Sequence, residues 1–128
     1  MTKKQDRALK IIMAALLFMC ACAILILAML PPAAIIDVVS ANHKFFHFLE
    51  FFIFTIIVLV TLAVYDVKRP YTIALPVLLA FVVISESVQI PLAHRTFSVM
   101  DMVADGIGIL AGFIVFWLAR VQWIRLKR

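Results

Sequence analysis

The chain has 128 residues, of which 66% are hydrophobic and only 15% are charged. Soluble domains are closer to half apolar and a quarter charged, so this composition excludes an ordinary soluble domain. The formal net charge of +5 does not indicate a nucleic-acid partner, because the basic residues are scattered between hydrophobic runs. We therefore expect a single membrane domain over residues 1–128, with the lipid bilayer as its partner.

Four apolar runs, each about the length of a bilayer crossing, are predicted to be transmembrane helices. The predicted spans cover residues 11–30, 45–65, 71–91 and 101–119. None of the runs alternates with a period of two, and an open sheet would leave backbone groups unpaired in lipid. The predicted fold is therefore all-α, a polytopic membrane protein built as a four-transmembrane-helix bundle.

Local signals mark the ends of these spans. Proline follows or closes the first three runs, at Pro31-Pro32, Pro70 and Pro91. Ser98, three positions before Asp101, resembles a capping box in which aspartate replaces the usual glutamate or glutamine, and it is predicted to start the fourth helix.

The distribution of lysine and arginine predicts the orientation. With four crossings, both termini and the loop at Lys68-Arg69 share one side of the membrane. Of the twelve basic residues, the opposite side carries only Lys44 and Arg95. The positive-inside rule therefore predicts a multi-pass protein of the cytoplasmic (inner) cell membrane with both termini in the cytoplasm.

On this topology, the unusual polar residues of the second and third helices lie at their extracytoplasmic ends. His43, His47 and Glu50 are spaced i, i+4 and i+7, so they share one stripe of the second helix. Glu86 and Gln89 are spaced i, i+3 and share a face of the third helix. Ionisable residues in membrane helices are costly, and they indicate a functional site by default.

The fourth helix carries its polar residues at the same end. Asp101 and Asp105 share one face, which Gly108 and Gly112 continue toward the other end of the helix. With Ala104, these glycines form a small-residue surface that lets another helix approach closely. The carboxylates are therefore predicted to point into the bundle, and the glycine face is expected to pack within one chain.

Two blocks of sequence carry a family resemblance. The first is HKFFHFLEF at residues 43–51; the second runs from ESVQ at residues 86–89, through RTFSVMD at residues 95–101, to Gly112. In order and spacing, these blocks resemble the VanZ-like family of small bacterial membrane proteins, over about the last two-thirds of the chain. The family commonly has Asp in place of His43 and Asn in place of Asp105. The resemblance implies a four-helix membrane protein linked to glycopeptide (teicoplanin) resistance or to maintenance of the cell envelope.

We favour recognition of an anionic cell-envelope lipid or peptide as the function of the polar residues. Lys44, His47 and Arg95 would contact the anionic group, since arginine suits bidentate capture of phosphate or carboxylate. The predicted ligand-binding residues are Lys44, His47, Glu86, Gln89, Arg95 and Asp101, and the supporting residues are Glu50, Asp105, Gly108 and Gly112.

Two alternatives stay open. The first is a membrane-embedded hydrolase or transferase with His47 as an oriented base, although no serine or cysteine is well placed as a nucleophile. The second is a structural polar cluster that binds no ligand. A metal site at His43, His47 and Glu50, with Asp101 or Glu86 as a further ligand, is disfavoured, because Lys44 and Arg95 would repel a cation, so no metal or cofactor is expected. The sequence does not predict the oligomeric state.

Overall fold

The computed structural model describes residues 2–30, 42–92 and 97–126. Within those ranges the chain forms four helices and no strand. They are α1 (Lys3–Met29), α2 (His43–Val64), α3 (Pro70–Ser87) and α4 (Val99–Leu126). All four are long and apolar enough to cross a membrane, which indicates a multi-pass membrane protein. The all-α, four-helix part of the prediction is confirmed.

The third helix is shorter than predicted. It ends at Ser87, whereas the predicted span runs to residue 91. After Ser87 the chain turns through short-range bonds, from the Gln89 amide to the Glu86 carbonyl oxygen and from the Ile90 amide to the Ser87 carbonyl oxygen, each 3.2 Å long. Pro91 disfavours helical geometry at the residue before it and cannot donate a backbone bond. Gln89 therefore lies in this turn rather than on the helix.

The first and fourth helices are longer than their apolar runs. Thr2 caps α1 with a full capping box, in which its hydroxyl accepts from the Gln5 amide and its own amide donates to the Gln5 side chain. Helix α4 continues past residue 119 to Leu126, because neither proline nor glycine interrupts the sequence there. Charged residues thus extend both helices beyond their apolar segments.

Helix α2 is the centre of the bundle, and its most extensive packing is against α4. These two helices run parallel, since residues 47, 52 and 55 of α2 lie beside residues 105, 108 and 112 of α4. The buried apolar core comprises Ile24, Phe51, Phe54, Val58, Leu59, Ala74, Leu78, Val82 and Ile109. We call the end of the bundle where α2 and α4 begin and α3 ends the polar end.

Two glycines of α4 allow close approach to α2. A Cβ atom added at Gly112 would lie 2.8 Å from both Cβ and Cγ2 of Thr55. A Cβ atom added at Gly108 would overlap the carbonyl oxygen of Phe48 and lie 3.0 Å from the Phe52 amide nitrogen. The prediction that the glycine face packs within the chain is confirmed, and the two backbones meet one turn away from Asp105.

Replacement of Gly108 by alanine should weaken the bundle, because the new methyl group meets backbone atoms that cannot rotate away. Gly108→Ala is expected to lower the free energy of unfolding by about 1–3 kcal/mol, as is usual for overpacking. Thermal unfolding in mild detergent, followed by circular dichroism, measures the loss.

Gly106→Ala is the matched control for this substitution. A Cβ atom at Gly106 meets nothing within 4 Å, so this variant should be as stable as the parent or slightly more so. Equal stability of the two variants would contradict the close contact at Gly108.

Candidate functional site

His47 lies at the centre of the polar end, between two carboxylates of α4. Its Nδ1 atom is 3.0 Å from Oδ1 of Asp105, and its Nε2 atom is 3.8 Å from Oδ2 of Asp101. Asp101 and Asp105 are one helical turn apart, so they flank the same imidazole. The Asp105 carboxylate favours a proton on Nδ1, and this leaves Nε2 directed toward Asp101.

His43, one turn before His47 on α2, shares the same aspartate. Its Nδ1 atom lies 3.4 Å from Oδ2 of Asp101, and the two imidazole centroids are 4.6 Å apart in an edge arrangement. One oxygen of Asp101 therefore contacts both imidazoles. The i, i+4 spacing puts His43 above His47 on one face of α2, so both rings are directed toward α4 where that face packs on it.

Glu86 is fully buried and joins the end of α3 to the start of α4. Its Oε2 atom accepts from the Ser98 amide and its Oε1 atom accepts from the Gln89 side chain, each at 3.2 Å. The Ser98 hydroxyl accepts from the Asp101 amide at 3.2 Å. The predicted Ser98 cap is thus confirmed, but the reciprocal bond to the Ser98 amide comes from Glu86 rather than from Asp101. Asp101 can therefore face the histidines.

Three buried carboxylates, those of Glu86, Asp101 and Asp105, meet at the polar end. Within the parts of the chain that the structure describes, the ion pairs of Asp101 and Asp105 are all with histidines. The second oxygen of Asp105, Oδ2, is buried and has no hydrogen-bond partner among these residues. An acceptor buried in this way costs free energy unless a nearby positive charge compensates for it.

A cavity of about 240 Å³ lies beside this cluster, between α1, α2 and α3. Its lining is apolar at Ile24, Leu27, Ala28, Phe46 and Phe51, and polar at His43, His47, Glu50, Ser85 and Gln89. Neither Glu86 nor the two aspartates are part of this lining, so the imidazoles lie between the α4 carboxylates and the cavity. The site therefore combines an apolar wall with a histidine-rich polar surface.

Most of the predicted site residues meet at the polar end. His47 contacts Asp101 and Asp105, Glu86 contacts Gln89, and ligand atoms of His47, Glu86 and Asp105 lie within 4.8 Å of one another. Glu50 lines the cavity, and Gly108 and Gly112 bring α4 close to α2. Lys44 is exposed and outside the cavity lining, while the prediction for Arg95 falls outside the described residues.

The sequence did not predict the contribution of α1 to the cavity. Ile24, Leu27 and Ala28 are spaced i, i+3 and i+4, so they form a stripe that faces the cavity. In a helix whose surrounding residues are also apolar, such a stripe does not stand out. Asp101 was considered beside His43 only as an additional ligand of a disfavoured metal site, because a contact between two helices leaves no trace in local spacing.

The serines near the site have structural roles. The Ser85 hydroxyl donates to the Val82 carbonyl oxygen at 2.9 Å, and the Ser87 hydroxyl donates to the Val83 carbonyl oxygen at 2.6 Å. These bonds within α3 satisfy groups that lipid or apolar side chains could not satisfy. None of the bonds of these two serines is with His47, so neither is arranged as a nucleophile next to a base.

Comparison of the chain with protein-family models, with curated proteins and with solved structures gives no match. The resemblance to the VanZ-like family therefore gains no support from these comparisons.

Removal of the Glu86 carboxylate should loosen the junction between α3 and α4. Glu86→Ala leaves the Ser98 amide and the Gln89 side chain without their acceptor, and we expect a loss of about 1–3 kcal/mol in the free energy of unfolding. Glu86→Gln, which keeps one acceptor oxygen, should fall between the parent and the alanine variant. Thermal unfolding in detergent measures all three proteins.

Ser87→Ala is the control, because Ser87 is exposed and its hydroxyl bonds only within its own helix. Its effect should stay within about 0.5 kcal/mol. A loss for Ser87→Ala as large as that for Glu86→Ala would show that the junction does not depend on the buried carboxylate.

Proposed function

We propose that this chain is a multi-pass protein of the bacterial inner membrane with both termini in the cytoplasm. The proposal is supported by the basic residues, of which ten of twelve fall on the side of the termini and only Lys44 and Arg95 on the other. In this orientation, the polar end and its cavity face the extracytoplasmic side. Molecules of the cell envelope would then reach the cavity from the outer leaflet.

The proposed function is recognition of an amphiphilic cell-envelope molecule with an anionic head group. The observation that carries it is the cavity, whose apolar wall from α1 and α2 adjoins a polar surface of His43, His47, Glu50 and Gln89. Ligand sites commonly pair a mainly apolar lining with a few convergent polar groups. The apolar wall would contact a hydrocarbon chain, and the imidazoles would contact the head group.

An anionic head group is favoured by the residues nearest the polar end of the cavity. His43 and His47 line the cavity there, whereas Asp101 and Asp105 contact the imidazoles from outside the lining, and the Glu50 carboxyl, which also lines the cavity, lies about one turn farther from the polar end than His47. The first turn of α2 contains no acidic residue and includes the exposed Lys44. The positive end of the helix dipole therefore adds to the attraction for an anion.

Membership of the VanZ-like family is part of this proposal, and its support is the ordered series of motifs from His43 to Gly112. Several residues of that series meet in one cluster, namely His47, Glu86, Gln89, Asp101 and Asp105. A role in envelope maintenance or glycopeptide resistance follows from the same resemblance.

One observation favours a second candidate, a hydrolase or transferase that acts on a lipid-linked envelope substrate. The 3.0 Å contact between Asp105 and His47 Nδ1 would orient His47 as a general base with Nε2 available. Since neither Ser85 nor Ser87 is bonded to this base, a water molecule or a substrate hydroxyl would have to be the nucleophile.

A larger side chain in the apolar wall should reduce binding without altering the polar cluster. Ala28→Phe would fill part of the cavity, and the amount of anionic lipid retained by the purified protein should fall several-fold. Native mass spectrometry after incubation with phosphatidylglycerol or an isoprenyl phosphate measures retention, with phosphatidylcholine as the zwitterionic comparison lipid.

Ile26→Phe is the matched control, since Ile26 lies on the same helix and is 59% exposed. It should retain lipid like the parent. Equal retention by both variants, or no preference for anionic over zwitterionic lipid, would contradict recognition in this cavity. Conversion of the added lipid to a new product would favour the enzyme over the binding protein.

A further inference from the structure

Three side chains at the polar end have the spacing of metal ligands. The Asp101 Oδ2 atom is 3.4 Å from His43 Nδ1 and 3.8 Å from His47 Nε2, and the three ligand atoms all lie within 4.8 Å of one another. Zinc bonds nitrogen and oxygen at about 2.0–2.2 Å, so tetrahedral geometry separates two of its ligand atoms by about 3.4 Å. Small rotations of the rings would bring the three atoms onto one ion.

The helical spacing of the two histidines suits the same chemistry. His43 and His47 are at i and i+4 on one face of α2, a spacing at which two imidazoles of one helix bind a single zinc ion. Asp101 completes the set from α4. The ion would therefore join two parallel helices at the end where they begin.

Asp105 supplies the outer partner that metal-binding histidines usually have. Its Oδ1 atom is 3.0 Å from His47 Nδ1, so a proton on Nδ1 leaves the Nε2 lone pair directed toward Asp101. This carboxylate–histidine arrangement fixes the ring orientation and makes the imidazole a better ligand. Asp105 would therefore be a positioning residue, because it would act on the metal through His47.

The unpartnered oxygen of Asp105 is an independent observation that favours a bound cation near this carboxylate. Asp105 is completely buried, and its Oδ2 atom has no hydrogen bond among the described residues. A divalent cation on the other side of the His47 ring would offset the cost of burying this carboxylate.

We infer that His43 Nδ1, His47 Nε2 and Asp101 Oδ2 bind one divalent transition-metal ion, with zinc as the best fit. The ligands are two nitrogens and one oxygen, a donor set that zinc prefers and magnesium or calcium does not. A second grouping of His47, Glu86 and Asp105 is also compact. It is a poorer site, because both Glu86 oxygens already accept hydrogen bonds and His47 contacts Asp105 directly.

This site differs from the metal site that the sequence offered. There Glu50 was the third ligand and Asp101 or Glu86 an additional one, whereas the structure puts Asp101 beside both histidines. The predicted repulsion by Lys44 is weak, since Lys44 is exposed and makes no ion pair with the cluster. His43 is only partly buried and lines the cavity, so an ion has a path to its ligands.

A three-ligand zinc ion leaves a fourth position for another donor. Both histidines line the cavity, so a phosphate or carboxylate head group bound there could occupy that position. This last step rests on the proposed function, whereas the metal site itself does not.

Zinc binding can be measured directly on the full chain, purified in detergent without a polyhistidine tag, stripped with a chelator and freed of added lipid. Titration against a chromophoric chelator, with metal analysis after dialysis, should give one zinc per chain. His43→Gln and Asp101→Asn should each lower the zinc affinity at least about 100-fold. Asp105→Asn should keep the stoichiometry and lower the affinity by about 10–100-fold.

Two controls and one spectrum make the result decisive. Lys68→Ala and Asp66→Asn, both exposed at the other end of the bundle, should bind zinc as tightly as the parent. Cobalt(II) should give the visible absorption of a tetrahedral site in the parent and lose it in His43→Gln. Circular dichroism establishes that each variant is folded.

Loss of all zinc on dialysis of the parent, after it has been stripped and then reloaded with zinc, would overturn this metal site. The site is also overturned if folded His43→Gln and Asp101→Asn bind zinc like the parent, because the ion would then lie elsewhere. Lipid retention, measured separately on the zinc-free and zinc-loaded parent, tests the proposed ligand. Zinc binding without lipid retention would leave the metal site standing and contradict the recognition function.

Discussion

The close approach of α2 and α4 determines which polar side chains can meet. At Gly108 the backbone of α4 lies directly against the backbone of α2, and at Gly112 it lies against the Thr55 side chain, with no room for a Cβ atom at either position. One turn nearer the polar end, this spacing brings His47 within 3.0 Å of Asp105. A larger residue at Gly108 would push the helices apart at the place where this contact must form. The contact between the charged side chains of α2 and α4 therefore depends on the close packing of these two helices.

The buried carboxylates make different contacts and have different structural roles. Glu86 ties the end of α3 to the first turn of α4 through the Ser98 amide, and so replaces the capping contact that Asp101 would otherwise make. Asp101 and Asp105 are then directed at the imidazoles of α2. A purely structural cluster would need only enough contacts to satisfy each group. The unpartnered Asp105 oxygen and the shared position of Asp101 between two histidines favour a cluster arranged around a positive charge.

The sequence predicted the four helices, because long apolar runs and proline positions are local signals. It also predicted that Glu86, His47 and Asp105 would converge, since helical spacing and chain reversal put them at one end. It failed where the determinant is a contact between helices. The pairing of His43 with Asp101, the capping of α4 by Glu86 and the α1 wall around Ala28 all depend on the distances between elements. The predicted end of α3 was wrong because the sequence at residues 88–91, which mixes polar and apolar residues, is as compatible with a helix as with a turn.

The polar end depends most on the interaction between His47 and Asp105, and a double-mutant cycle measures this interaction directly. The cycle compares the unfolding free energies of the parent, His47→Ala, Asp105→Ala and the double variant in one detergent. Removal of either partner alone leaves a buried polar group without its partner, so the double variant should lose less than the sum of the single losses. A coupling energy of about 0.5–3 kcal/mol is the predicted result. Strict additivity would contradict it, because the two side chains would then contribute independently and the polar end would not be organised around their contact.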